Sequence, residues 1–252
     1  MAQKLRLLFQ GRLSALALKA AIFAIFLVLA KVGSFGFVPT LFFLISATIL
    51  YFSIKSDGPT YFTSFLGLIF SVLMLMSRMS ETASPIFLFL ISGLFFYILL
   101  GLKSIFFIYR ARWYYFLQLS ILYAVSIIFF LMDLSEFFFL KYMLIFAVLF
   151  ALLSEFFRLI NKSYENLSNY KITPRISAAV SSLLILEAFW GIGLLPMSFI
   201  NAASLGILVI FIIIDLLSRY SNENLSYRTL LANVTIFIIA AILVFSVSTW
   251  SI

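Results

Sequence analysis

The chain has 252 residues, 65% of them hydrophobic and only 10% charged, with a mean hydropathy of +1.20. A soluble domain carries about 25% charged residues, and one of this size buries only about 75% of its unfolded surface, so most of these side chains must meet lipid. The chain has no cysteine and no histidine, which excludes disulfides, thiolate nucleophiles, His-dependent hydrolases and the usual ligand sets of zinc, haem and iron–sulfur centres.

A spanning helix needs about 20 residues, and apolar runs broken by charged or turn residues give nine spans. In chain order they lie near 13–32, 36–54, 60–77, 84–103, 112–132, 138–158, 176–195, 199–217 and 229–250. The expected fold is therefore all-α: a polytopic transmembrane helical bundle, one domain over 1–252, with no room for a soluble catalytic domain. The first span carries Lys19 and Lys31, whose ammoniums must snorkel towards opposite interfaces. It reads as an uncleaved signal anchor, since no A-x-A-like site follows it. Short connections, such as 33–36 and the turn at 133–135, force antiparallel hairpins 1–2, 3–4, 5–6 and 7–8, with span 9 added. The prolines (Pro39, Pro59, Pro85, Pro174 and Pro196) fall at span ends or in loops, where they start or stop helices. Arg110-Ala111-Arg112-Trp113-Tyr114-Tyr115 and Trp250 place basic groups and aromatic rings at the two interfaces.

Charge sets the orientation. With the N-terminus in the cytoplasm, fourteen of the seventeen Lys and Arg residues fall on the cytoplasmic side, and only Lys31, Arg78 and Lys141 fall opposite. The C-terminus is then outside. The net charge of +8 acts as an orientation device and attracts anionic headgroups of the bilayer. No nucleic-acid partner is expected, because that would require a basic patch on an exposed surface. The expected location is the inner (plasma) membrane of a bacterium. The longest water-exposed stretch, 159–176, is cytoplasmic and is where a cytoplasmic partner would bind. A weak internal repeat relates 138–195 to 199–250: Leu152-Leu153-Ser154 and Glu165-Asn166-Leu167-Ser168 match Leu216-Leu217-Ser218 and Glu223-Asn224-Leu225-Ser226. Capping by Ser and Asn in polar loops accounts for the same likeness.

Each charge inside a span needs an account, because ionisable groups at the bilayer centre cost at least about 2.5–3.5 kcal/mol. Asp215 with Arg219, and Glu155 with Arg158, have the spacing of interfacial ion pairs on one helix face. Asp133 and Glu136 share an outer turn, with Lys141 about a turn into the next span, and Lys103 ends the fourth span within reach of water. Glu187 stands apart, with no basic residue within a turn and with Gly191 and Gly193 following it. It reads as a proton or cation site or an anchor for a cationic substrate, as a protonated carboxyl bonded to a neighbouring helix through a Ser, Thr or Asn such as Asn233, or as an ion pair with Lys31. The glycines would let a backbone or ligand approach, or let the helix bend.

No Asp-rich prenyl-diphosphate motif, Walker loop, His-containing phosphatase signature or glycine-flanked serine nucleophile occurs. No catalytic residue, cofactor or metal is therefore expected. Two functions fit best: a non-catalytic structural or accessory subunit of a larger membrane complex, partnered by other membrane-protein subunits, or a small transporter or proton- or ion-coupled carrier built on Glu187; an intramembrane enzyme acting on lipid-linked substrates trails both.

Overall fold

A computed structural model describes residues 2–54, 61–78, 85–104, 109–132, 138–163, 173–221 and 226–247. Among these residues the chain is all-helical, with nine helices in the order expected. They are α1 (Ala2–Val32), α2 (Phe37–Phe52), α3 (Phe62–Arg78), α4 (Pro85–Lys103), α5 (Arg110–Leu131), α6 (Phe138–Ser163), α7 (Pro174–Gly193), α8 (Phe199–Ser221) and α9 (Tyr227–Val247). Six contain stretches long and apolar enough to cross a membrane: Leu13–Val32, Ile86–Lys103, Arg110–Leu131, Phe139–Leu159, Pro174–Gly193 and Phe199–Tyr220. The chain is an integral membrane protein by this length and composition. α2 and α3, with 16 and 17 residues, are only about 24–26 Å long, short of the roughly 30 Å hydrocarbon core.

Local chemistry sets the helix starts. Pro85 opens α4 and Pro174 opens α7, positions where the missing N–H would have no helical partner and φ is already suitable. α6 runs on through Ser163 and α7 begins at Pro174, so their connection is shorter than the expected 159–176. Of the stretch 159–176, on which a cytoplasmic partner was expected, residues 164–172 lie outside the described residues, as do Asp133, Glu136, Pro59 and Trp250.

The turn from α1 to α2 is unusually tight. Phe35 N–H donates to the carbonyl of Ala30 at 2.9 Å and Gly36 N–H to that of Gly33 at 3.0 Å. Ser34 and Phe35, rather than the flanking glycines, hold φ at 52°, a left-handed conformation that costs an L side chain about 1–2 kcal/mol. Gly33 is needed for space: a Cβ there would stand 2.5 Å from Pro39 Cγ, an atom of a rigid ring. Gly33→Ala should therefore lower stability by about 1–3 kcal/mol, whereas Ser34→Gly should raise it by about 0.5–1 kcal/mol. Thermal unfolding midpoints in detergent check both signs, and equal effects at the two positions would refute this account of the turn.

The helices cluster into two compact units, 1–117 and 118–252, divided within α5, where the sequence reading expects one domain. In the first unit α1 packs on α2 and α4, and α3 on α4. Its core is aromatic: Phe23 stacks on Phe96 at 4.1 Å, and Tyr51 on Phe65 at 4.2 Å. In the second unit α7 packs on α6 and α8, and α8 on α9. The α6–α7 pairing is the most extensive although loop length did not anticipate it. α7 buries Ser177, Ala178, Ser181 and Ser182, small residues that let two backbones approach closely. The hydroxyls of Ser181 and Ser182 donate to their own helix, to the carbonyls of Ser177 and Ala178 at 2.8 and 2.7 Å. α5 meets α6 through side chains instead, Gln118 Nε2 donating to the Leu152 carbonyl at 3.0 Å and Phe129 meeting Tyr142 edge-on at 5.3 Å.

Candidate functional site

α7 presents two unlike faces. Ser177, Ala178, Ser181, Ser182, Ile185, Leu186 and Phe189 are buried. On the other side Ile176, Val180, Leu183, Glu187, Trp190 and Leu194 are all exposed. Phe189 anchors the buried face. Its ring, 0% exposed, lies 5.0 Å from Phe129 and 5.4 Å from Phe130, with Gly206 of α8 against its edge. Once Phe189 is inward, a 100° turn per residue carries Glu187 outward.

Glu187 is six residues from the last residue of α7, or about 9 Å along the axis. It therefore lies in the outer third of the span, one turn before the exposed Trp190, rather than at its centre. The amide of Asn233, one partner expected for it, donates instead to Asp215 Oδ2 at 2.6 Å. Gly191 and Gly193 close α7 rather than bending it, and a Cβ at either would meet nothing within 4 Å. The space they open lies outside the described helices.

The other charges are accounted for locally. Arg219 Nε donates to Asp215 Oδ2 at 2.7 Å, four residues apart on α8. The same oxygen receives the Asn233 amide, so a single carboxylate ties α8 to α9. Asn233 is the buried residue among the described side chains of α9, 7% exposed. Glu155 is buried at 3% on α6 while Arg158 is exposed.

Two lysines do what spacing alone did not indicate. Lys103 Nζ donates to the carbonyl of Tyr51 at 2.6 Å, and Lys141 Nζ to that of Met132 at 2.7 Å. Each thereby satisfies a carbonyl at the C-terminal end of a neighbouring helix, α2 and α5 respectively. Such carbonyls have no helical donor and carry partial negative charge. The signal available in the sequence was a lysine close to a span end whose hairpin or bundle neighbour also ends there.

Among the described residues no cluster of His, Cys, Asp or Glu could hold a metal ion. A shallow, open groove of about 370 Å³ runs between α1 and α4, lined by Ala17, Ala21, Ala24 and Gly93 with Leu90 and Tyr97. It is apolar, and carries no group that could do chemistry. No family model, characterised protein or solved structure matches this chain.

Proposed function

We propose that this protein is a non-catalytic accessory subunit of a larger membrane assembly, and that the outer face of α7 receives a transmembrane helix of another subunit. The observation that carries this reading is the outward position of Glu187 within a regular seam. Ile176, Val180, Leu183, Glu187, Trp190 and Leu194 follow one another at steps of four, three, four, three and four, and all are exposed. Steps alternating between three and four residues keep one stripe of a helix available to a partner helix crossing at about 20°. A single polar residue in such a seam selects partner and register, and Gly191 beside Glu187 leaves room for a large side chain opposite.

Charge complementarity selects the occupant. A second copy of this chain packed symmetrically on the seam would set Glu187 against Glu187, two carboxylates in a medium that penalises even one. A different subunit bearing Lys or Arg at the facing position satisfies it. A carrier built on Glu187 would need that carboxyl to face a pathway inside the protein, yet Glu187 is on the exposed face of α7, and on the buried face Ser181 and Ser182 direct their hydroxyls at their own helix.

Purification in mild detergent tests the reading. Stoichiometric partner subunits should accompany the wild-type chain, fall several-fold in Glu187→Gln and disappear in Glu187→Lys, with elution profile and helicity unchanged. A lone homogeneous protein would refute it. Proton- or ion-coupled flux by the purified chain in vesicles, abolished by Glu187→Gln, would establish the carrier instead.

A further inference from the structure

The net charge is not shared between the units. Residues 1–117 hold ten Lys and Arg against two acidic residues, and residues 118–252 hold seven against seven. Two of the first unit's cations converge on the last turn of α2. Lys19, from α1, donates to Ser53 Oγ at 2.8 Å, and Lys103, from the end of α4, donates to the Tyr51 carbonyl at 2.6 Å. Lys103 is 4% exposed and its ammonium stands 3.9 Å over the Tyr51 ring and 5.1 Å over that of Phe52. Each ammonium has three donors, of which one is engaged in each case among the described residues.

The negative end of a helix supplies only about half a charge, against the two ammoniums that meet at the last turn of α2. The first unit's two carboxylates, Asp57 and Glu81, lie outside the described residues, and Lys19 and Lys103 have no ion pair among those described. Two ammoniums brought together at one helix end attract an anion. The site is open to the headgroup layer, because Ser53 is exposed at the end of α2 on the side that the charge distribution assigns to the cytoplasm. From it Phe52, Ile49 and Ile45, all exposed, lead along α2 towards the membrane interior, an apolar track for an acyl chain.

We propose that Lys19 and Lys103, meeting at the Ser53 end of α2, form a site for the phosphate of an acidic phospholipid headgroup, with the acyl chain lying along Phe52, Ile49 and Ile45. Lysine binds phosphate as a point charge, and the site adds to the accessory-subunit reading without depending on it.

The test measures binding of short-chain phosphatidylglycerol, phosphatidylcholine and inorganic phosphate to the full-length protein in detergent, by native mass spectrometry and thermal midpoint. Phosphatidylglycerol should bind about tenfold more tightly than phosphatidylcholine, and Lys19→Gln, at a half-buried position that tolerates a polar side chain, should lose about tenfold. Arg112→Gln, which removes the same charge from an exposed position at the same end of the bundle, should leave the preference intact. An unchanged preference in Lys19→Gln overturns the site, and an equal loss in Arg112→Gln overturns it in favour of diffuse surface charge. A midpoint rise with inorganic phosphate equal to that with phosphatidylglycerol assigns a soluble anion instead. Tighter phosphatidylglycerol binding in Asp57→Asn would make that carboxylate the native counter-ion and also overturn the proposal.

Discussion

Phe189→Ala should destabilise the second unit by about 3 kcal/mol, the low end of the range for removing a buried aromatic ring. In a membrane the unfolded reference keeps its side chains in lipid, so the loss is one of van der Waals contact rather than of transfer from water. The contact is extensive, because Phe189 is fully buried and joins Phe129 and Phe130 of α5 to α8 at Gly206. Gly206→Ala probes the same contact from the other side: its Cβ would lie 2.9 Å from Phe189 Cε1 and 3.5 Å from a Phe130 ring carbon, an overpacking worth about 1–3 kcal/mol. Phe189→Leu should relieve part of that strain, so the double variant should be more stable than the sum of the two single effects. Denaturant titration in detergent measures all four corners of the cycle. Strict additivity would show that Phe189 and Gly206 do not press on one another.

Asp215→Ala should cost about 2–3 kcal/mol and release α9. Its Oδ2 accepts from both Arg219 and Asn233, and removing it leaves the buried Asn233 amide without its partner, a loss larger than that of an ordinary hydrogen bond. Little else compensates, since Leu231, Val234, Ile238, Ile239 and Ile242 of α9 are all exposed. Arg219→Ala should cost only about 0.3–0.5 kcal/mol, as for other solvent-accessible pairs four residues apart on a helix. Hydrogen exchange then separates the two roles: protection along 227–247 should fall in Asp215→Ala and Asn233→Ala but not in Arg219→Ala. Equal loss in all three would mean that the pair within α8, rather than the link to α9, stabilises the structure.

The two variants also show where sequence reasoning stopped. The Asp215–Arg219 spacing is visible along the chain because four residues bring two side chains together on any helix. The Asp215–Asn233 bond depends on how α8 and α9 are rotated about their axes. Glu187 stood out by its isolation from basic residues, and its outward direction emerged only once Phe189, two positions on, was found in the core. Helices apolar on every side, as α5 and α7 nearly are, carry no azimuthal pattern from which to read that rotation. Lys103 and Lys141 were legible as span-end lysines but not as caps of α2 and α5, since the carbonyls they satisfy belong to other helices.

The sequence by itself determined the solvent, the class of fold, the number and order of the helices, and which end of each carries the basic residues. These depend on free energies that add up residue by residue along the chain: transfer of apolar side chains into lipid, and the cost of carrying charge across it. Tertiary structure alone decided that α6 packs most closely on α7, that Asn233 belongs to Asp215, that Lys19 and Lys103 meet at the end of α2, and that Glu187 faces outward. Those outcomes depend on helix rotation and close packing, which are set by small side chains such as Ser177 and Ser181 meeting a neighbouring helix and not by hydrophobicity along the chain.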